Sequence, residues 1–200
     1  MNESASRRGA ALISLLLAIL IGACAPEPAE NPPLKGATMG GAFALTDQNG
    51  RRVSDRDFAD KYRLVYFGYS FCPDVCPVDM QVIGAGLRRF EAEDSARAAR
   101  VQPIFISVDP ARDTPPVLRQ FVAAFHPRMI GLTGSETEIA QVARAYRIFY
   151  ERGEPSPDGG YMVNHTRMVV LYGPEGRPIA IIPHDQGPEG VAAELGRWVR

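Results

Sequence analysis

Two cysteines stand four positions apart in the run Ser70-Phe71-Cys72-Pro73-Asp74-Val75-Cys76-Pro77. A helical turn spanning them would place both sulfurs on one face. A thiolate pair at that spacing can hold a soft metal such as Cu(I), or close a disulfide and so cycle as a dithiol. A structural crosslink is the weakest of the three readings, because so small a loop removes little entropy from the unfolded chain. Dithiol oxidoreductases usually carry two residues between their cysteines. The three found here weaken that reading without removing it.

The chain has three histidines to set beside this pair. His126 precedes Pro127 at the end of a predicted helix, where solvation or capping is the natural role. His184 follows a predicted strand in a Gly- and Pro-containing stretch and is expected at the surface. His165 stands directly before the predicted strand 167–172. Two thiolates and one imidazole make a reasonable three-coordinate Cu(I) site, and imidazole also suits Cu(II).

These residues need a scaffold. Residues 42–45 and 52–53 flank Asn49-Gly50, which suggests a hairpin turn. The apolar runs 64–69 and 101–108 read as buried strands, and between them Val78, Met80, Val82, Ile83, Leu87 and Phe90 recur at helical spacing. Thr114-Pro115-Pro116 starts a helix that should reach about Phe125, and 129–132 is a short strand. Ser135 and Glu138 form a capping-box pattern ahead of Ile139, Val142, Ala143 and Tyr146. Residues 153–160 read as a loop, 167–172 and 177–182 as a hairpin, and 188–198 as a closing helix. Alternation of strand and helix implies a parallel core covered by helices. With the closing hairpin, that order is an α/β, thioredoxin-like plan with an additional N-terminal β-hairpin. In that plan the cysteine segment sits at the carboxyl end of a strand and at a helix N-terminus, where thiolate is stabilised. The loop carrying His165 faces it. Tyr69 stands where a thiol peroxidase would place Thr or Ser, three residues before the reactive cysteine, which disfavours that chemistry.

The N-terminal part reads as an address. Arg7 and Arg8 precede thirteen apolar or small residues, 11–23, too few for a comfortable bilayer span and suited to a signal-peptide core. The run ends in Ile21-Gly22-Ala23-Cys24, so Cys24 is a candidate for lipidation, with an uncleaved signal anchor as the other reading. Residues 25–38, rich in Pro, Ala and Glu, suit a flexible linker, which leaves 39–200 as the folded domain. Composition is that of a globular protein, 46% hydrophobic and 22% charged. A net charge of −1 gives no electrostatic case for nucleic acid.

Three segments, YFGYSFCPDVCP (66–77), SVDPARDTP (107–115) and NHTRMVVLYGPEG (164–176), closely resemble the Sco/SenC family, and the resemblance runs from residue 39 to about 182. It implies a thioredoxin-like fold and copper ligation by Cys72, Cys76 and His165. It also implies assembly of the CuA centre in subunit II of cytochrome c oxidase. Asp74, Asp109, Arg112 and Asp113 fall on family motif positions and are read as turn capping and ion pairing beside the site. The family commonly has Asp before the ligand histidine; Asn164 here would support the imidazole less strongly. The expected protein is a metallochaperone anchored on the periplasmic side of the membrane, with no small-molecule turnover. It would deliver copper to subunit II, reduce the CuA cysteines, or both, and other periplasmic copper chaperones could be partners. The alternative is a thiol-disulfide oxidoreductase or thiol peroxidase.

Overall fold

Strands β3 (Tyr62–Gly68) and β4 (Val101–Ser107) pair in parallel from Tyr62↔Val101 to Gly68↔Ser107, and every residue of β3 is buried. Burial on both faces is what a continuous apolar run in a parallel sheet requires. Side-chain alternation sends Leu64 and Tyr66 into one apolar layer and Val65 and Phe67 into the other. The chain is described here from a computed structural model covering residues 30–157 and 159–200. Cys24 and the apolar run 11–23 lie outside the described residues.

Helix α1 (Val75–Glu93) and the short α2 (Ser95–Ala98) connect β3 to β4, and α3 (Pro115–Ala123) connects β4 to the parallel β5 (Ile130–Thr133). After α4 (Glu136–Ala145), strand β8 (Val169–Tyr172) pairs antiparallel with β3, and β9 (Pro178–Ile181) with β8. The N-terminal hairpin β1 (Ala44–Asp47) and β2 (Arg52–Ser54) joins the other edge through β5, giving the order β2-β1-β5-β4-β3-β8-β9. Buried Asp47 fixes the hairpin turn, accepting the N–H groups of Asn49 (2.8 Å) and Arg51 (2.9 Å) and the Arg51 guanidinium.

One apolar layer takes Met80, Ile83, Leu87 and Phe90 from α1, Leu118 and Val122 from α3, and Val191, Leu195 and Trp198 from α5 (Gly187–Trp198). Helices α1 and α5 approach closely: a Cβ on Gly86 would meet Val191 Cβ at 2.4 Å. The other layer holds Ile139, Val142 and Ala143 of α4, Leu45 of the hairpin, and both Cys72 and Cys76. The predicted hairpin, core strands and capping box are all present; Glu138 N–H donates to Ser135 Oγ at 3.2 Å.

Three details differ from the sequence reading. Helix α3 stops at Ala123, short of Phe125. The segment 32–38, read as part of the linker, is fastened to the domain. Leu34 N–H donates to the Ile179 carbonyl at 3.0 Å, its side chain packs on the second layer, and the compact unit begins at Pro32. Arg147 also donates to the Thr38 carbonyl at 3.1 Å, a partner far along the chain that composition does not reveal. A second sheet of two strands, β6 (Tyr150–Arg152) and β7 (Val163–His165), flanks the predicted 153–160 loop. Strands of three residues are too short to show an alternating pattern. Among the described residues no helix is long and apolar enough to cross a membrane.

Candidate metal centre

The segment leaving β3 is tied down before it reaches the first cysteine. Ser70 donates its N–H (3.1 Å) and its hydroxyl to Asp113, and Ser107 at the end of β4 donates its hydroxyl to the same carboxylate at 2.5 Å. Asp113 is fully buried, and burial holds its carboxyl above the usual range despite these donors. The ends of the two central strands are therefore locked to one carboxylate, and the cysteine turn starts from a fixed point.

Cys72 lies in that turn, ahead of α1, while Cys76 is the second residue of the helix. The free N–H of Cys76 donates to Cys72 Sγ at 3.5 Å, so the Cys72 sulfur sits where a helix start favours negative charge. Burial pushes the Cys72 thiol up, but the N–H groups of Cys76 and Asp74 outweigh it, and the net shift is downward. Cys76 is fully buried, and burial with the adjacent Cys72 sulfur pushes its thiol up to about 12. Gly68 makes room for it: a Cβ there would stand 3.2 Å from Cys76 Sγ and 2.9 Å from the Tyr66 ring.

Strand β7 brings His165 to this sulfur. Its Nε2 is 3.2 Å from Cys76 Sγ, and its Nδ1 is 3.2 Å from the Thr166 carbonyl. The carbonyl can only accept, so the proton belongs on Nδ1 and the Nε2 lone pair faces the thiol. The rings of Tyr66 and Tyr69 stand edge-on to the imidazole, centroids 6.1 and 6.0 Å away. Burial lowers the pKa of His165 and keeps it neutral, the form that ligates metals. His165 was expected on a loop and instead ends a strand, its backbone opposite Tyr150. Asn164 is exposed and, by strand alternation, points away from the imidazole, whose Nδ1 instead faces the Thr166 carbonyl.

Two of the three expected ligands are thus in contact, and the third lies beside them on the Tyr69 side. Among the described residues no three His, Cys, Asp or Glu side chains are arranged to hold a metal ion as they stand. Cys72 stands outside the helix, in the turn ahead of α1. The donor types, two sulfurs and a neutral imidazole, suit Cu(I).

The surroundings revise several expectations. His126 is buried, not solvated: its Nε2 is 3.3 Å from Glu91, and its Nδ1 accepts the Arg128 N–H at 3.2 Å, because the turn at Pro127 folds the chain back over it. His184 is also largely buried, 3.6 Å from Asp79. Asp74 occupies the N-cap position of α1, but its side chain makes no capping bond. The ion pairing expected at these motif positions is present between Arg112 and Asp109, while Asp113 takes the Ser70 and Ser107 donors. Arg112 binds Asp109 (2.5 Å) and spans the rings of Tyr161, Phe71 and Tyr69, and Tyr161 also donates to Asp109 at 2.7 Å. Arg112 therefore clasps the cysteine turn to the segment before β7.

Beneath the site, buried Asp79 accepts from Tyr66 (2.7 Å) and from Arg167 (2.6 and 3.0 Å). Sequence reading gave no role to Tyr66 and Asp79, and weighed Tyr69 only against a thiol peroxidase. The only available signal was the polar Asp79 at a position of α1 whose neighbours are apolar.

Residues 31–200 match the sequence profile of SCO1/SenC. The chain belongs to the SCO1/SenC family. It is 43% identical to protein SenC of Rhodobacter capsulatus over 80% of this chain and 70% of that protein. The match spans about half the length of curated mitochondrial relatives, 53% of the SCO1 homolog of Homo sapiens and 42% of that of Arabidopsis thaliana. Among solved structures, Bradyrhizobium japonicum ScoI with copper bound superposes with a TM-score of 0.72 at 40% identity, covering 80% of this chain and 99% of that one. At 17% identity and a TM-score of 0.56, the thioredoxin domain of a Bacteroides vulgatus thiol-disulfide oxidoreductase shares the fold alone, over 81% of this chain and 96% of that one. The thioredoxin-like architecture stands on that likeness and on the strand order.

Proposed function

We propose that this SCO1/SenC protein is a copper metallochaperone held on the periplasmic side of the membrane. It would deliver copper to the CuA site of cytochrome c oxidase subunit II, and its ligands would be Cys72, Cys76 and His165. The observation that carries the reading is the contact between Cys76 Sγ and His165 Nε2 at 3.2 Å, with Cys72 in the turn just ahead of the same helix and its sulfur 3.5 Å from the Cys76 N–H. Copper is cargo here, not a reaction centre. The Cys72 sulfur is the readier thiolate, Cys76 gives up its proton when metal binds, and His165 offers Nε2 while Thr166 holds Nδ1. Three ligands graded outward from buried Cys76 can pass Cu(I) to a site that offers more.

A second reading concerns the same pair as a reductant for the two CuA cysteines. Both thiols are free, and the Cys76 N–H reaches Cys72 Sγ at 3.5 Å, so the two lie close enough for oxidation to release two protons and two electrons and form the Cys72–Cys76 disulfide. Anchoring rests on Ile21-Gly22-Ala23-Cys24. Mass spectrometry of the mature N-terminus tests it: a lipid-modified Cys24 supports it, and intact residues 1–23 leave a signal anchor instead.

The deciding experiment is Cu(I) titration of the reduced and the oxidised protein, followed by mixing with the apo CuA domain of subunit II. About one equivalent should bind to the reduced form, little to the oxidised form, and the metal should move to the CuA domain. Equal binding by both forms would remove Cys72 and Cys76 as the ligand pair.

A further inference from the structure

One soft donor beside the site has no part in the three-ligand picture. Met162 immediately precedes β7, and half of it is exposed. The Tyr69 hydroxyl donates to Met162 Sδ at 3.7 Å, and the Cys72 sulfur lies beside the same hydroxyl. Two sulfurs therefore flank one oxygen. The four donors are graded from the interior outward: Cys76 is 0% exposed, Cys72 7% and Met162 50%, with His165 against Cys76 at the inner end. Cys76 and His165 form an inner pair, Cys72 and Met162 an outer pair, and Tyr69 stands between the two outer sulfurs.

A thioether is a soft ligand that favours Cu(I), and it needs no deprotonation to bind. Methionine also has three rotatable bonds, which let the sulfur travel. A plain apolar cover over Tyr69 would need no sulfur, and leucine would serve as well. We propose that Met162 is an exchange ligand through which Cu(I) passes between the inner site and an external acceptor. The inference rests on the copper reading above. In the exchange, Tyr69 swings aside and a Cu–S bond to Met162 forms. The bonds to His165 and then to Cys76 break, and the freed Cys76 thiolate takes a proton from water. Copper remains Cu(I), no electron moves, and the ion ends between Cys72 and Met162, where an acceptor's ligands can reach it.

The test compares the wild-type protein with Met162→Leu, which keeps the apolar volume and removes the sulfur. Equilibrium Cu(I) affinity, measured by competition with bicinchoninate, should stay within about threefold. The limiting rate at which excess bicinchoninate strips the metal should fall about tenfold. X-ray absorption supplies a readout independent of rate. Cu(I) in His165→Ala should recruit Met162 as an extra sulfur ligand, and adding Met162→Leu should remove that ligand. Equal stripping rates, with no extra sulfur in His165→Ala, would overturn the exchange role and leave the copper reading intact. A reduced wild-type protein that binds no Cu(I) would instead overturn the copper reading itself.

Discussion

The Cys76 sulfur and the His165 Nε2 lie 3.2 Å apart although 89 positions separate them in the chain. The contact joins the helix that follows β3 to the small β6–β7 sheet, and it is the only direct join between the predicted thiol and imidazole ligands among the described residues. In the proposed copper site it orders the ligands: Cys76 and His165 are already in contact, and Cys72 would complete the set.

His165→Ala should therefore weaken copper retention by about a hundredfold or more. Cu(II) should be affected more visibly than Cu(I), because the two thiolates that remain favour Cu(I). The backbone pairing with Tyr150 survives the change, and the lost ring contacts should cost about 1 kcal/mol. Copper titration, absorption in the thiolate-to-copper region and thermal unfolding check these three expectations. Unchanged copper binding combined with lost disulfide chemistry would favour the oxidoreductase reading.

The two thiols should react in a fixed order. Cys72 has its thiol lowered by the helix N–H groups, while Cys76 is fully buried with its thiol raised to about 12. Limited iodoacetamide treatment of the reduced protein at neutral pH should label Cys72 first, as read by peptide mass mapping. Preferential labelling of Cys76 would contradict the assignment of Cys72 as the readier thiolate.

Asp79 should matter more to stability than the arginine it binds. It is 3% exposed, and Tyr66, Arg167 and His184 all converge on it. Asp79→Ala strands these groups and should cost about 3 kcal/mol. Arg167→Ala leaves Tyr66 and His184 still bound to the carboxylate and should cost about 1 kcal/mol. Urea unfolding of both variants gives the comparison; equal losses would contradict the Asp79-centred picture.

The capping box at α4 predicts a pH dependence. The Ser135 N–H and the Arg52 guanidinium hold the Glu138 carboxyl down at about 2, from an ordinary 4.5. A depressed carboxyl contributes stability above its unfolded pKa and loses it as pH falls through the folded value. Glu138→Gln should therefore destabilise by about 1 kcal/mol at pH 7. The gap to wild type should close as pH falls from about 5 toward 2. A gap that stays constant over that window would exclude the charge as its source.

Much of the scaffold was legible because it is locally encoded. The apolar runs at 64–69 and 101–108 have no exposed face to mark, so they had to be interior strands, and both are. Asn49-Gly50 and the Ser135–Glu138 pair act over a few residues, and both work as their chemistry requires. The position of Cys72 and Cys76 at the junction of a buried strand and a helix was readable for the same reason. The partners of His126 and His184 were not. Their burial depends on where the chain folds back, as at Pro127 for His126 and at Asp79 for His184.

What the sequence by itself determined was the donor chemistry: two thiols four apart at a helix start, an imidazole just ahead of a core strand, and the layers that would carry them. What the tertiary structure decided was proximity. It set Cys76 against His165, left Cys72 outside the helix, pointed Asn164 away, gave Arg112 to Asp109 and three rings, and placed Met162 across one hydroxyl from Cys72. Periodicity reports which face a side chain takes on its own element. Contacts between elements far apart in the chain depend on how loops such as 153–160 close, and no local pattern records that.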